Sequence, residues 1–214
     1  MPANINNGKF YLTISREFGS GGREIGKKIA KELGYDYYDK EIITNIATNM
    51  GINEETVEEV LDKDELQAVP LHYYCTFDGG SLMPLPQTEM LLEQKKVIEA
   101  IAKKGRNFVI VGRNADAILS KYKPFNIFFC ADMDAKIKRC MEHRTDDEPK
   151  TVKEMEKKII QVDKKRALTR NLITGSKYGD KYEYHAVINT TKWDKDALVK
   201  GVIQLINSWY GERE

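Results

Sequence analysis

The 214 residues are enough for one fully buried core, with or without a mobile lid, and 34 basic against 33 acidic side chains leave a formal net charge of +1, which gives no reason to expect nucleic acid or an anionic membrane as partner. Cys75, Cys130 and Cys140 are odd in number and lack C-x-x-C spacing, which argues against a disulfide framework and a zinc site. The N-terminus has no apolar signal core and no apolar run approaches the roughly 18 residues that span a bilayer, so a soluble, cytoplasmic chain with reduced thiols is expected.

Short apolar runs alternate with longer helix-period segments, the pattern of a parallel sheet covered by helices. A first strand over 9–15 runs into Gly19-Ser20-Gly21-Gly22, and a helix over 22–33 begins at once and stops at Gly34. Glycines let backbone N–H groups approach an anion, and the helix that follows aims its unsatisfied N–H groups and positive dipole end at the same point. Gly19, Ser20, Gly21, Gly22, Arg23 and Glu24 are therefore the candidate phosphate-binding residues of a nucleotide-binding enzyme. A second strand over 36–38 leads to Asp39 and to helices over 40–50 and 53–63. The segment 67–87, with Pro70, Gly79, Gly80, Pro84 and Pro86, breaks the rhythm; a loop so long is usually functional, and it is read as part of an acceptor-side flap. Then follow a helix over 89–104, a strand over 107–111, a helix over 114–121 stopped before Pro124, a strand over 126–130, charged helices over 134–144 and 150–172, a strand over 185–189 and a helix over 193–209. The last helix carries Leu198, Val202, Leu205, Ile206 and Trp209, a stripe that packs on its own sheet or on a second copy in a homodimer.

Two phosphate motifs compete for the glycine loop. In G-x-x-x-x-G-K-[ST], set with its last glycine on Gly22, Glu17 takes the place of the first glycine, Arg23 that of the lysine and Glu24 that of the hydroxyl. In G-x-G-x-x-G, Gly19 and Gly21 match and Glu24 takes the third place, with Asp39 about 20 residues on, where a ribose-binding acid belongs. A tight turn with no ligand is the third reading.

Ile14 through Gly26, Tyr37-Tyr38-Asp39-Lys40 and Val109-Ile110-Val111-Gly112-Arg113-Asn114-Ala115-Asp116 together resemble the cytidylate kinase-like family, relatives of the P-loop nucleoside monophosphate kinases. Lys165-Arg166 through Thr174-Gly175, Gly179-Asp180 and Val187 through Thr191 are similar too. The resemblance implies a P-loop NTPase-type three-layer α/β/α fold with a five-stranded parallel sheet ordered 2-3-1-4-5. It implies one domain with an acceptor-binding region at about 40–105 and a lid at about 145–182. The implied reaction moves a phosphoryl group from ATP, with Mg²⁺, to a nucleoside monophosphate, CMP or dCMP first.

Against that chemistry, cations must converge on two anionic substrates. Arg23 stands for the loop cation, and Glu24 either binds Mg²⁺ or complements the helix N-terminus, the latter a contribution of about 0.3–1 kcal/mol. Asp39 is an acceptor-side group or the N-cap of the next helix. Gly112-Arg113 resembles a Gly-Arg-Asp motif whose arginine engages the acceptor phosphate; Asn114 replaces the aspartate and offers an amide, or caps a helix. Arg166 and Arg170, four apart on one helix face, resemble lid arginines that reach one phosphate cluster together. Asp163 and Lys165 flank them to orient them, and Asp163 is also placed with the acceptor-side groups. Catalysis then rests on Arg23, Arg113, Arg166 and Arg170, without a general base, because an acceptor phosphate oxygen is already ionised. His72, His143 and His185 have no metal-ligand spacing. A regulatory nucleotide-binding protein and a dinucleotide-dependent enzyme using Gly19, Gly21 and Asp39 stay open as alternatives.

Overall fold

The structure, a computed structural model, describes residues 9–39, 86–144 and 149–211. The sheet has five strands, β1 (Tyr11–Arg16), β2 (Asp36–Tyr38), β3 (Phe108–Val111), β4 (Phe125–Cys130) and β5 (Ala186–Asn189), in the order β2-β3-β1-β4-β5 with every pairing parallel. The central strands are apolar on both faces because both are covered. Tyr11, Phe108 and Ile110 face α2 (Pro86–Lys103) and α3 (Ala115–Ile118), packing on Ile98, Ile101 and Leu119. Leu12, Ile14, Val109 and Val111 face the other way, onto Ile25 and Ile29 of α1 (Gly22–Leu33) and Val199, Val202 and Ile206 of α6 (Lys195–Gly211). This alternation is the period of two that a strand imposes on its side chains.

The stripe of the last helix lies on its own sheet except for Leu205, which is 48% exposed, and Tyr210 fastens the helix there: its hydroxyl donates to the Tyr11 carbonyl at 2.8 Å and accepts from the Tyr11 N–H at 3.1 Å. Two further helices, α4 (Met133–Glu142) and α5 (Val152–Thr174), pack together through Ile137, Met155 and Ile159 beside the carboxyl end of β4. Thr151 and Glu154 form a reciprocal cap at the start of α5, and Gly175, at φ 68°, ends it.

Among the described residues, two expected helices differ most from the structure. Helix α2 starts at Pro86 instead of near residue 89, since proline is well accommodated in a first helical turn where its missing N–H has no acceptor to lose. The expected helix over 114–121 is split into α3 and a 3-10 turn at Ser120–Tyr122, because Pro124 bars Lys123 from the right-handed region and Lys123 leaves at φ 49°. The helices expected over 40–50 and 53–63, with nearly all of the 67–87 segment, lie outside the described residues. Among the described residues no helix is long and apolar enough to cross a membrane.

In this strand order the chain leaves β1 toward one edge and β3 toward the other, so the crevice lies beyond the carboxyl ends of those two neighbours. Arg16 ends β1, and Gly112-Arg113 follows β3.

Candidate active site

The loop between β1 and α1 is tied down on every side. Glu17 N–H donates to the Phe129 carbonyl at 2.9 Å, Phe18 N–H to Asp163 Oδ1 at 2.6 Å, and Thr190 Oγ1 to the Ser20 carbonyl at 2.7 Å. Gly19 and Gly21 are left-handed, at φ 76° and 82°, and a side chain on Gly19 would strike Cys140 and Lys136 of α4. Fixed in this way, the loop holds its shape before any anion arrives. Ser20 is fully buried, and its hydroxyl is used inside the loop, donating to the Glu17 carbonyl and accepting from Gly22 N–H. The structure therefore makes it a brace for the loop where the sequence suggested a phosphate contact.

Gly21 is the N-cap of α1 and Gly22 its first residue. Counting from that boundary, the spacing G-x-x-x-x-G-K-[ST] runs from Arg16 to Gly21, and the lysine's place falls on Gly22, one residue before Arg23. The two adjacent glycines hid this register. A Cβ on Gly22 would stand 2.8 Å from the Arg16 Cβ and 3.1 Å from the Phe129 Cβ, so no side chain fits there. Arg23, 65% exposed, instead turns to the acceptor side, where its Nε lies 2.6 Å from Asp39 Oδ2. Arg23 and Asp39 are thus brought together across the crevice. Glu24 is held away from it: its carboxylate is 2.6 Å from Lys195 and 3.9 Å from Lys28, cations that face the outer side of α1. That pairing removes it as a ready metal ligand, and among the described residues no three His, Cys, Asp or Glu side chains converge to hold an ion. The described residues alone offer no cage for Mg²⁺.

At the end of β3 three consecutive residues are left-handed: Gly112 at φ 81°, Arg113 at 59° and Asn114 at 52°. For the two that carry a Cβ this costs roughly 1–2 kcal/mol each, less for asparagine, which visits the region more readily. Gln94 Nε2 holds the turn by donating to the Arg113 carbonyl at 2.8 Å. Asn114 is the N-cap of α3 by position, but its side chain makes no capping bond, so the cap alternative is met by the backbone alone. Strain kept at one turn in the crevice needs a compensating use.

Helix α5 contributes three residues with different destinations. Asp163 faces the glycine loop: it accepts from Phe18 N–H, and Arg166 and Lys136 lie 3.4 Å away on its two oxygens. Burial pushes its carboxyl above the ordinary value, opposed by the Phe18 N–H, Arg166 and Lys136. The placement with the acceptor-side groups is therefore corrected; the carboxylate is spent on the glycine loop. Lys136 is itself buried between Asp163 and Glu17, at 3.4 and 3.1 Å. Arg166 Nη1 donates to the Arg16 carbonyl at 2.9 Å, and its guanidinium carbon stands 5.7 Å from the Phe18 ring. Arg170 goes elsewhere. It is 2% exposed, with Nη1 2.5 Å from Asp116, Nη2 3.2 Å from Glu183 and Nε donating to Ser176. The pair shares a helix face, as the spacing requires, without sharing a target.

Two arginines escaped the sequence reading. Arg139 of α4 donates from Nη1 to the Gly19 carbonyl at 2.7 Å and lies against Gly21, a long-range placement that no local pattern signals. Arg16 is the more central. Its guanidinium occupies the place where a Cβ on Gly112 would stand, and its carbonyl accepts from the Tyr178 hydroxyl at 2.5 Å as well as from Arg166. Burial first, then Arg166 and Arg113, bring its pKa down to about 10 against the opposing pull of Tyr178 and Asp39. Like Arg113, Arg16 stands at the carboxyl end of a strand, and that position is the signal by which the sequence could have marked it. The tyrosines at β2 serve the core: Tyr35 and Tyr37 pack with the α1 face, and Tyr38 with the α2 face. His185 is structural, its Nδ1 accepting from Asn126 N–H and its ring stacked on Phe125.

The family described as the cytidylate kinase-like family matches residues 11–192, so the chain belongs to it. Among solved structures, an uncharacterized protein from Eubacterium ventriosum is 27% identical, over 94% of this chain and 99% of that one, with a TM-score of 0.68. Shikimate kinase from Bacteroides thetaiotaomicron is 15% identical, covering 92% and 98%, with a TM-score of 0.58. Shikimate kinase from Acinetobacter baumannii, solved with shikimate, is 12% identical over 96% and 97%, with a TM-score of 0.51. These likenesses show the P-loop kinase fold with the strand order described above. No curated protein matches the chain.

Proposed function

We propose that this member of the cytidylate kinase-like family is a phosphotransferase that moves the γ-phosphoryl group of ATP to a nucleoside monophosphate, with CMP or dCMP as the first acceptor to test. The carrying observation is the meeting, in one crevice, of a braced glycine loop with Arg16, Arg23, Arg166 and a strained turn bearing Arg113. In the reaction an acceptor phosphate oxygen bonds to the γ-phosphorus while the bond from that phosphorus to the β–γ bridging oxygen breaks, and ADP leaves with the electron pair. No proton has to move, so the protein's task is to position two anions and spread their charge.

In this reading the loop and the N-terminus of α1 bind the donor phosphates, Arg113 takes the acceptor phosphate, and Arg166 faces the group in transit. Asp39 holds Arg23 in orientation between them. Arg170 acts through the helix, as a positioning residue. Mg²⁺ enters with the triphosphate and neutralises part of its charge. Asn114 donates as well as accepts, which bears on base choice.

The test is ATP with Mg²⁺ and CMP, dCMP, UMP, AMP, GMP or shikimate as acceptor, with calorimetric binding of ATP and of NAD alongside. Turnover of CMP or dCMP supports the reading. ATP binding without turnover on any acceptor favours a regulatory nucleotide-binding protein, and binding of NAD in place of ATP favours the dinucleotide enzyme.

A further inference from the structure

We infer that Arg16 replaces the missing loop lysine: its guanidinium, lying between the glycine loop and the Gly112-Arg113-Asn114 turn, is a catalytic contact to the transferring phosphates.

The inference rests on the phosphotransferase reading for its chemistry and on four observations for its site. The lysine's place falls on Gly22, and the Cβ of Arg16 at 2.8 Å, with Phe129 beside it at 3.1 Å, closes that place to a side chain. The same arginine lays its guanidinium over Gly112, where only glycine leaves room, so two glycines, one opening α1 and one following β3, are shaped around a single side chain. Among the described residues that guanidinium has no hydrogen-bond acceptor, and the carboxylate nearest to it, Asp39 at 3.9 Å, is already paired with Arg23 at 2.6 Å. Arg113 and Arg166 add like charge from two further elements.

A desolvated cation without a matching acceptor is expensive, and arginines that repel one another raise the cost. A polyphosphate in the crevice removes both penalties at once, and a guanidinium is suited to bridging two phosphate oxygens. A lysine rising from the first turn of a helix reaches the outer phosphates from below the loop. Arg16 reaches the same volume from the end of the central strand.

The test exchanges the two positions in the full-length protein. Inorganic tripolyphosphate is titrated by calorimetry into wild type, Arg16→Gln, Arg16→Gly, Gly22→Lys and the double variant Arg16→Gly/Gly22→Lys, and turnover is measured on the same samples. Arg16→Gln and Arg16→Gly should weaken tripolyphosphate binding about ten- to a hundredfold and lower kcat by about a hundredfold. Gly22→Lys alone should lose binding, since both side chains claim one space. The double variant, which restores the lysine pattern, should recover at least tenfold of what Arg16→Gly loses. A merely structural Arg16 would show no such recovery. Wild-type affinity in Arg16→Gln, or a double variant no better than Arg16→Gly with circular dichroism showing both folded, overturns the inference. If wild type turns over no acceptor yet tripolyphosphate binding follows the expected order, the phosphotransferase reading fails while Arg16 stands as the anion contact.

Discussion

Two arginine clusters lie one turn apart along α5, and they are built in opposite ways. At Arg170 the charge is closed: Asp116 and Glu183 supply two carboxylates, Ser176 a hydroxyl, and the side chain is 2% exposed. At Arg166 the cluster is left open. Arg113 and Arg166 gather like charge around Arg16, while Asp163 is shared with Phe18 N–H and Lys136, and Asp39 with Arg23. The first arrangement holds elements together; the second concentrates positive charge beside the glycine loop.

The comparison breaks most visibly at Arg170. Arg170→Ala should cost about 3–5 kcal/mol of stability by stranding the buried Asp116, read from urea unfolding. Arg170→Met with Asp116→Asn should recover most of that loss, since removing both partners is far cheaper than removing one. If the double variant regains stability and turnover together, Arg170 has only a positioning role.

Arg113→Ala tests the open cluster. Acceptor kcat/KM should fall by about 10²–10³-fold with ATP affinity near normal, in steady-state kinetics and calorimetry. Arg166→Ala should slow turnover by about tenfold or more while weakening ATP binding less. Equal losses in both would take it out of the group that senses the transferring charge. The smallest change is expected for Glu24→Ala: its exposed pairs with Lys195 and Lys28 contribute at most about 1 kcal/mol, and the Mg²⁺ dependence of turnover should not shift.

Much of the scaffold was legible because local signals agree. Gly34, Gly105 and Gly175 end helices in left-handed conformations, and all five expected strands fall within two residues of the observed ones. The glycine loop and Arg113 were legible for the same reason, a break in pattern at a strand's carboxyl end. The rest depended on distance. Asp116 and Arg170 are 54 positions apart, and nothing near either announces the other. Asp163 has a charged neighbourhood in sequence, yet its partner is a backbone N–H on the far loop. Gly21 and Gly22 are identical letters, and only the φ of 82° at Gly21 tells which one ends the loop. Arg16 was read as part of a motif string; its meaning comes from the side chains absent at Gly22 and Gly112.

The left-handed turn after β3 also sets stability against activity at a single residue. Arg113 sits where a side chain is a liability to the backbone and glycine would be at ease. Arg113→Gly relieves that tension but gives back unfolded-chain entropy, for a net gain of up to about 1 kcal/mol. On the proposed reading, the same exchange strips the acceptor pocket of its cation. A variant that melts later and works worse is the fingerprint of a position kept for its chemistry at the fold's expense.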